Sequence, residues 1–140
     1  MKLFAAIFTL VSVLQMTTIT KNVSTKPSIT VVVPNSTSDK GTIHYALFNK
    51  KTFMQEPLQA KTANIKDKKS TVVFENVEAG EYAVIIFHDK NENKKMDFDE
   101  RGMPIENYGV SNNPAGFGPP QFIDAKFVVV DKNVTLEIRF

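Results

Sequence analysis

The sequence predicts an all-β protein, an antiparallel β-sandwich of about seven short strands. Strand-like runs rich in Val, Ile, Phe and Tyr recur along the chain and are separated by turns of Gly, Pro, Asn and Asp. Beyond the first residues, no window repeats its apolar residues with the 3.6-residue period of an amphipathic helix. The 140 residues are enough for one domain with an ordinary core. The same pattern also permits a small OB-like barrel.

The chain begins with the pattern of a secretory signal peptide. A positive start at Lys2 precedes an uncharged apolar run from Leu3 to Leu14, and polarity rises from Gln15 onward. A membrane span needs about 20 apolar residues, which is longer than this run. We therefore predict a signal peptide over residues 1–20 and a secreted or periplasmic protein that keeps no membrane span after cleavage. An uncleaved anchor and a buried segment of the domain are the alternatives.

The remainder is predicted to consist of a linker and one domain. Residues 21–40 are rich in Thr, Ser, Lys, Asn and Pro, which indicates a linker interrupted by a first strand, and residues 41–140 form the domain. The run Tyr82–His88 is apolar almost throughout, which indicates a central strand covered on both faces. A turn at Asp131–Asn133 joins the last two strands, and such an ending predicts a hairpin. The predicted strands are 29–33, 42–49, 60–65, 70–75, 82–88, 122–130 and 134–140.

Composition excludes several kinds of chemistry. The chain has no cysteine, so disulfides, thiolate zinc sites, iron–sulfur clusters and cysteine nucleophiles are all excluded. Its 17 basic and 15 acidic residues are interspersed and leave a formal net charge of +2. Nucleic-acid binding requires a clustered basic surface, and the sequence has none, so we expect no nucleic-acid partner.

A long segment, Asp89–Gln121, separates two of the predicted strands. It has no predicted strand or helix, yet it holds four of the six glycines and four of the seven prolines. A loop of more than about 15 residues in a compact domain is usually functional or disordered. Two aromatic residues of this segment, Tyr108 and Phe117, are candidates for a ligand surface that stacks on a sugar or a peptide.

The first twelve residues of the long segment have the ligand spacing of an EF-hand calcium loop. Ca²⁺ binds six to eight oxygen atoms, and alternate residues of a tight loop can supply them. Glycine is favoured at the sixth position, where this chain has Lys94, and a left-handed lysine costs about 1–2 kcal/mol. The alternative is a polar turn whose Asp and Asn side chains bind backbone N–H groups. The predicted Ca²⁺ ligands are Asp89, Asn91, Asn93, the Lys95 carbonyl, Asp97 and Glu100.

Several motifs in order resemble a known bacterial family. The motifs are Gly80–Val84, His88–Asn93, Met96-Asp97, Gly102–Glu106, Tyr108–Asn113 and Gly118–Ala125. On these motifs, and from Thr42 to Phe140, the chain is similar to the DUF2141 family of exported proteins. The resemblance implies a secreted or periplasmic β-sandwich of the prealbumin-like or Ig-like kind, and it implies no established activity. The family pattern usually has glycine where this chain has Lys94.

These observations predict a non-enzymatic module of the cell envelope. Its long loop would be held by one structural Ca²⁺ ion, and the surface from Gly102 to Gln121 would bind an envelope or extracellular glycan or protein. The first alternative is a small envelope hydrolase that uses His88 and the loop carboxylates. The second is a purely structural envelope protein whose ion serves stability alone.

Overall fold

The computed structural model describes residues 26–116 and 118–140. The predicted signal peptide, residues 1–20, lies outside the described residues, as do the first part of the predicted linker and Phe117. In the part of the chain that is described, no helix combines the length and the apolar character needed to cross a membrane.

The described residues form eight strands and one short helix, so the all-β prediction is confirmed. The first five predicted strands lie within two residues of their predicted ends. The elements are β1 (Ile29–Val33), β2 (Thr42–Asn49), β3 (Gln59–Asn64), β4 (Ser70–Phe74), β5 (Gly80–Asp89), β6 (Tyr108–Val110), α1 (Phe122–Ala125), β7 (Phe127–Val129) and β8 (Val134–Glu137).

The strands are arranged in two sheets, and β5 is central in the larger one. The order there is β3-β2-β5, and both β6 and β7 pair along the other edge of β5. β2 and β5 are antiparallel, from Thr42 opposite Asp89 to Asn49 opposite Tyr82. The smaller sheet has the order β4-β1-β8. The central position of β5 agrees with its nearly continuous apolar sequence.

The larger hydrophobic core lies between the two sheets, and a smaller cluster around Ala83, Val110 and Ala125 lies on the outer face of the larger sheet. Because successive side chains of a strand point to opposite faces, alternate residues of each strand are buried in the larger core. In β1, Ile29, Val31 and Val33 are fully buried, whereas the two residues between them are partly exposed. The larger sheet contributes Ile43, Tyr45, Leu47, Tyr82, Val84 and Ile86. The intervening residues of β2 and β5 therefore form the outer face of the larger sheet.

The prediction of a hairpin at the end of the chain is wrong. β7 pairs with β5 in the larger sheet, whereas β8 pairs in parallel with β1 in the smaller one. The turn between them crosses from one sheet to the other, and it is fixed there because the Asn133 side-chain oxygen accepts the Ser28 N–H at 2.9 Å. A short polar turn between two strands favours a hairpin only when both strands belong to one sheet.

Two further predictions, for the long segment Asp89–Gln121 and for the strand after it, differ from the structure. The segment contains a short strand, β6, which the sequence did not predict because its three residues show no alternation. Residues 122–125, predicted to begin a strand, form the single turn of α1 instead. The N–H groups of Ala125 and Lys126 donate to the carbonyls of Gln121 and Phe122.

The hydroxyl of Tyr45 offers a test of this packing. It is buried in the core, and it has no hydrogen-bond partner among the described residues. Burial raises the pKa of Tyr45 to about 12, and the nearby Ser70 hydroxyl, whose own hydrogen is donated to the Asn64 carbonyl at 3.0 Å, offsets the rise only in part. Leaving such a donor unpaired costs about 1–3 kcal/mol.

We therefore expect Tyr45→Phe to raise the free energy of unfolding, by about 1 kcal/mol. Urea denaturation of the two proteins measures the difference. Val84→Ala, which removes carbon atoms from the same core, is expected to lower the free energy of unfolding and serves as the comparison. A Tyr45→Phe variant that unfolds at lower urea concentration would contradict the prediction.

Candidate cation loop and apolar groove

The Asp89 carboxylate lies at the end of β5 and begins the cation loop, which we define as residues 89–100. Its side chain is only 1% exposed. One oxygen accepts the His44 ring N–H at 3.1 Å and the Lys94 backbone N–H at 2.8 Å, and the other accepts the Asn93 N–H at 3.2 Å. The loop therefore turns back over the end of the strand because two of its backbone donors bind this carboxylate.

Three further side chains of the predicted Ca²⁺ ligand set meet in the cation loop. The Asn91 side-chain nitrogen is 2.8 Å from one oxygen of Asp97. The Asn93 side-chain nitrogen is 2.9 Å from both oxygens of Asp97. Both amides therefore donate to Asp97, while the Asn91 oxygen accepts the Asn93 N–H at 3.2 Å and the Asn93 oxygen accepts the Lys95 N–H. Presenting oxygen to a cation would require each amide to rotate by half a turn and give up that backbone bond.

Lys94 adopts the backbone conformation that its position was expected to require. Its φ angle is 65°, in the left-handed region, and Glu92 two residues earlier has a φ of 58°. Glycine adopts this conformation without steric cost, whereas lysine does not. The loop therefore makes the tight turn even though its sixth position holds lysine and not glycine. The Lys95 N–H donates to the Asn93 side-chain oxygen at 2.9 Å.

Glu106 binds the cation loop, and the sequence analysis missed it as a candidate site residue. Glu100, the last predicted ligand, is exposed, and its carboxylate accepts no hydrogen bond from the described residues. Glu106 is buried, and its two oxygens accept the backbone N–H groups of Lys90 at 3.1 Å and Asp97 at 3.3 Å. The feature of the sequence that points to Glu106 is its place at the end of the Gly102–Glu106 motif.

The chemistry of the cation loop is that of hard oxygen ligands. Within residues 26–116 and 118–140, no three His, Cys, Asp or Glu side chains form a group that could hold a metal by themselves. The set in this loop combines two carboxylates, Asp89 and Asp97, with two carboxamides, Asn91 and Asn93. Ca²⁺ is commonly bound by such mixtures of carboxylate and amide oxygens.

An arm, which we define as residues 97–105, projects from the cation loop. The Ile105 N–H donates to the Asp97 carbonyl, and the Asp99 N–H donates to the Met103 carbonyl, so the two sides of the arm are joined. A hydrogen bond from the Met103 N–H lowers the pKa of the Asp99 carboxyl, which keeps this group ionised at the turn. The arm is therefore a short ordered hairpin rather than an irregular loop.

A groove of about 980 Å³ lies between the arm and the outer face of the larger sheet. Its floor consists of side chains from β2 and β5, namely Ala46, Phe48, Ile85 and Phe87. The arm supplies one wall through Phe98, Met103 and Ile105, which are 56%, 60% and 67% exposed. The lining is thus mostly apolar, and much of it is open to solvent.

Tyr108, one of the two aromatic residues predicted to bind a ligand, lines this groove. Its hydroxyl is 3.4 Å from the Gly118 carbonyl. Phe117 lies outside the described residues, although Gly118 and the two prolines that follow it also line the groove.

The two histidines have different surroundings. His44 lines the groove, stacks on Phe87 with ring centroids 4.6 Å apart, and donates to Asp89, so it connects the groove to the cation loop. His88 is fully buried, and its Nε2 atom donates to the Lys40 carbonyl at 2.7 Å. The hydrolase alternative assigned the catalytic base to His88, whose side chain is 0% exposed in this structure.

The chain was compared with known proteins. A family model described as "Uncharacterized protein conserved in bacteria (DUF2141)" matches residues 31–137, which is most of the chain. No curated protein matches, and no solved structure does.

Gly41 tests how closely the chain packs around the start of the cation loop. A methyl group at Gly41 would lie 2.0 Å from the Asp89 carbonyl oxygen, and the φ angle of Gly41 is +75°. Gly102 in the arm has a similar φ, +77°, but has open space around it.

We expect Gly102→Ala to lower the free energy of unfolding by about 1 kcal/mol and Gly41→Ala to lower it by more, at least about 2 kcal/mol. Chemical denaturation measures both, and equal losses would show that the contact with Asp89 is unimportant.

Proposed function

Because the chain belongs to the DUF2141 family of uncharacterized bacterial proteins, we propose its function from its own residues: it is a non-enzymatic binding module whose cation loop holds one structural Ca²⁺ ion. The observation that carries the proposal is the meeting of Asn91 and Asn93 on the Asp97 carboxylate. The Asn91 and Asn93 oxygens also accept backbone N–H groups, so these side chains serve the turn and in addition converge on one carboxylate.

The charges of the cation loop support a cation there. Asp97 and Glu106 form no ion pair with any of the described residues, and the bonds that they accept come from neutral amides. A divalent cation would supply the opposite charge that no described basic side chain gives these two carboxylates. With no second loop to support it, the site is expected to bind Ca²⁺ with a dissociation constant of about 10⁻⁴–10⁻³ M, as extracellular modules do. Mg²⁺ requires a stricter octahedron, which suits a twelve-residue loop less well.

A secreted or periplasmic location fits the proposal. Dissolved Ca²⁺ is far scarcer in the cytoplasm than outside it, so a weak structural site is useful only in an exported protein. The N-terminal sequence pattern is the other support for export. The two sheets and the core between them support a sandwich of the prealbumin-like or Ig-like kind.

The groove is proposed as the ligand surface, and its lining favours a protein segment over a glycan. Sugars are bound by aromatic rings together with many hydrogen-bonding side chains, whereas most of this lining is aliphatic, sulfur-containing or aromatic. Exposed apolar surface of this kind usually marks a protein interaction site. All three methionines in the described residues line it, and methionine adapts well to the side chains of a partner.

Calcium titration with thermal unfolding tests the ion site. At a free Ca²⁺ concentration ten times the dissociation constant, binding adds about 1.4 kcal/mol to the free energy of unfolding, so the Tm of the wild type is expected to rise by several degrees. Asp97→Ala is expected to abolish the rise. Glu92→Gln, which removes an exposed charge from the same loop, is expected to keep it. An unchanged wild-type Tm in about 10 mM Ca²⁺, ten times the weakest expected dissociation constant, would refute the site.

A peptide array and a glycan array test the groove. The wild type is expected to bind peptides rich in apolar and aromatic residues, and Met103→Lys is expected to lose them because it places a charge in the wall. Ile123→Lys, an exposed apolar position of α1 outside the groove lining, is the matched control and is expected to bind as the wild type does. Binding to glycans alone, or equal binding by Met103→Lys, would contradict a protein ligand.

A further inference from the structure

We propose that the groove is a site of reversible methionine oxidation: a peroxide converts Met54 and Met103 to sulfoxides, and the modified groove binds apolar ligands more weakly. The effect on binding rests on the proposed function of the groove, whereas the modification itself does not. Neither depends on the proposed Ca²⁺ site.

Methionine is the only sulfur-containing residue type in this protein. The chain has five methionines and no cysteine, so a peroxide finds no thiol that would react before the thioethers. The described residues include three of the five, Met54, Met96 and Met103, and all three line the groove. They come from three segments of the chain, namely the connection between β2 and β3, the cation loop and the arm. The sulfur atoms of the described residues are therefore gathered around one surface.

The exposure of each methionine determines how readily a peroxide reaches its sulfur. Met54 is 56% exposed and Met103 is 60% exposed, whereas Met96 is partly buried. The large apolar side chains that are exposed elsewhere on the described surface are leucine, isoleucine or valine, which peroxide leaves unchanged. Oxidation therefore alters the groove and not the remaining apolar surface of the described residues. Those other side chains are Leu58, Val73, Ile123, Val128 and Val130.

The reaction transfers one oxygen atom, with hydrogen peroxide as the oxidant. A lone pair of the thioether sulfur attacks one peroxide oxygen, so an S–O bond forms and the O–O bond breaks. The sulfur gives two electrons to the peroxide, and the departing hydroxide takes the proton of the transferred oxygen and becomes water. Methionine sulfoxide reductases return the sulfoxide to the thioether, so the modification is reversible.

A sulfoxide makes the lining of the groove partly polar. Its oxygen is a hydrogen-bond acceptor, and an apolar ligand that covers it supplies no donor. Phe98 and Ile105, which share the arm's wall with Met103, have no side-chain donor either. Because a polar group buried without a partner disfavours the complex, we expect oxidation to weaken the binding of an apolar ligand about tenfold.

Peptide mapping during exposure to hydrogen peroxide tests the modification site. Trypsin places the three methionines in different peptides, Thr52–Lys61, Met96–Arg101 and Gly102–Lys126. In the folded protein, we expect Met54 and Met103 to be oxidised several times faster than Met96. In the protein unfolded by urea, all three are expected to react at one rate. Equal rates in the folded protein, or fastest oxidation at Met96, would overturn the site.

The fluorescent probe 8-anilinonaphthalene-1-sulfonate tests the effect on binding. We expect peroxide to weaken its binding to the wild type about tenfold, and methionine sulfoxide reductases to restore it. The double variant Met54→Leu, Met103→Leu keeps the volume and apolar character of the lining, so it is expected to bind the probe equally well before and after peroxide. Met96→Leu, the matched control, is expected to lose binding after peroxide as the wild type does.

Each other result decides part of the proposal. If peroxide weakens binding by the double variant as much as by the wild type, the assignment to Met54 and Met103 is overturned. If the oxidised wild type binds the probe unchanged, or its fluorescence rises because the core has opened, the effect on binding is overturned and the oxidation site stands. If the untreated wild type does not bind the probe, the proposed function of the groove fails together with the effect on binding, and the oxidation rates alone decide the site.

Discussion

The Asp89 carboxylate ends the central strand with almost no exposure, and the shape of the site depends on how its charge is compensated. An ionised carboxylate is buried only when hydrogen bonds or opposite charges replace its water. Here the donors are the His44 ring and two backbone N–H groups, those of Asn93 and Lys94. The backbone must fold back sharply to deliver these donors, and for this reason Lys94 is left-handed. The same turn brings the amides of the loop to one side, opposite Asp97.

The site is therefore a chain of dependent parts. The sheet places Asp89, Asp89 folds the cation loop, the loop carries the arm, and the arm makes the wall of the groove. His44 joins the first and last parts, because its imidazole is bonded to Asp89 and stacked on Phe87 in the groove floor. The wall of the groove is therefore built on the end of one strand, through contacts with residues that lie far apart in the chain.

Patterns among neighbouring residues predicted the strands and the position of the cation loop, because both depend on local sequence. Alternation of apolar residues located β1 and β2 to the residue, and the unbroken run at Tyr82–His88 identified the central strand. The spacing of Asp and Asn located the loop in which Asp89, Asn91, Asn93 and Asp97 are brought together. Strand pairing could not be predicted in the same way. β7 and β8 have the sequence pattern of a hairpin, yet they pair with strands of two different sheets.

Two residues of the site were not predicted, Glu106 and His44, and both contact residues that lie outside their own sequence motif. Glu106 lies nine residues beyond Asp97, and His44 lies 45 residues before Asp89. Neither position follows from a ligand spacing, because each depends on which backbone groups the fold leaves without a partner. His44 could be placed only after the register of β2 and β5 was known, since that register sets Thr42 opposite Asp89. Glu100 was predicted from the ligand spacing of the EF-hand, in which a helix follows the loop.

The parallel pairing of β1 with β8 has a consequence for how the chain folds during its synthesis. Ser28, just before β1, bonds to Asn133, just before β8, and the two are separated by 105 residues. Contacts of such long range are formed late, because closing a large loop costs chain entropy before the contacts stabilise it. The edge of β1 that pairs with β8 therefore stays open until β8 has been made and has reached it. A chain of this topology carries an unpaired strand edge through most of the synthesis of this domain.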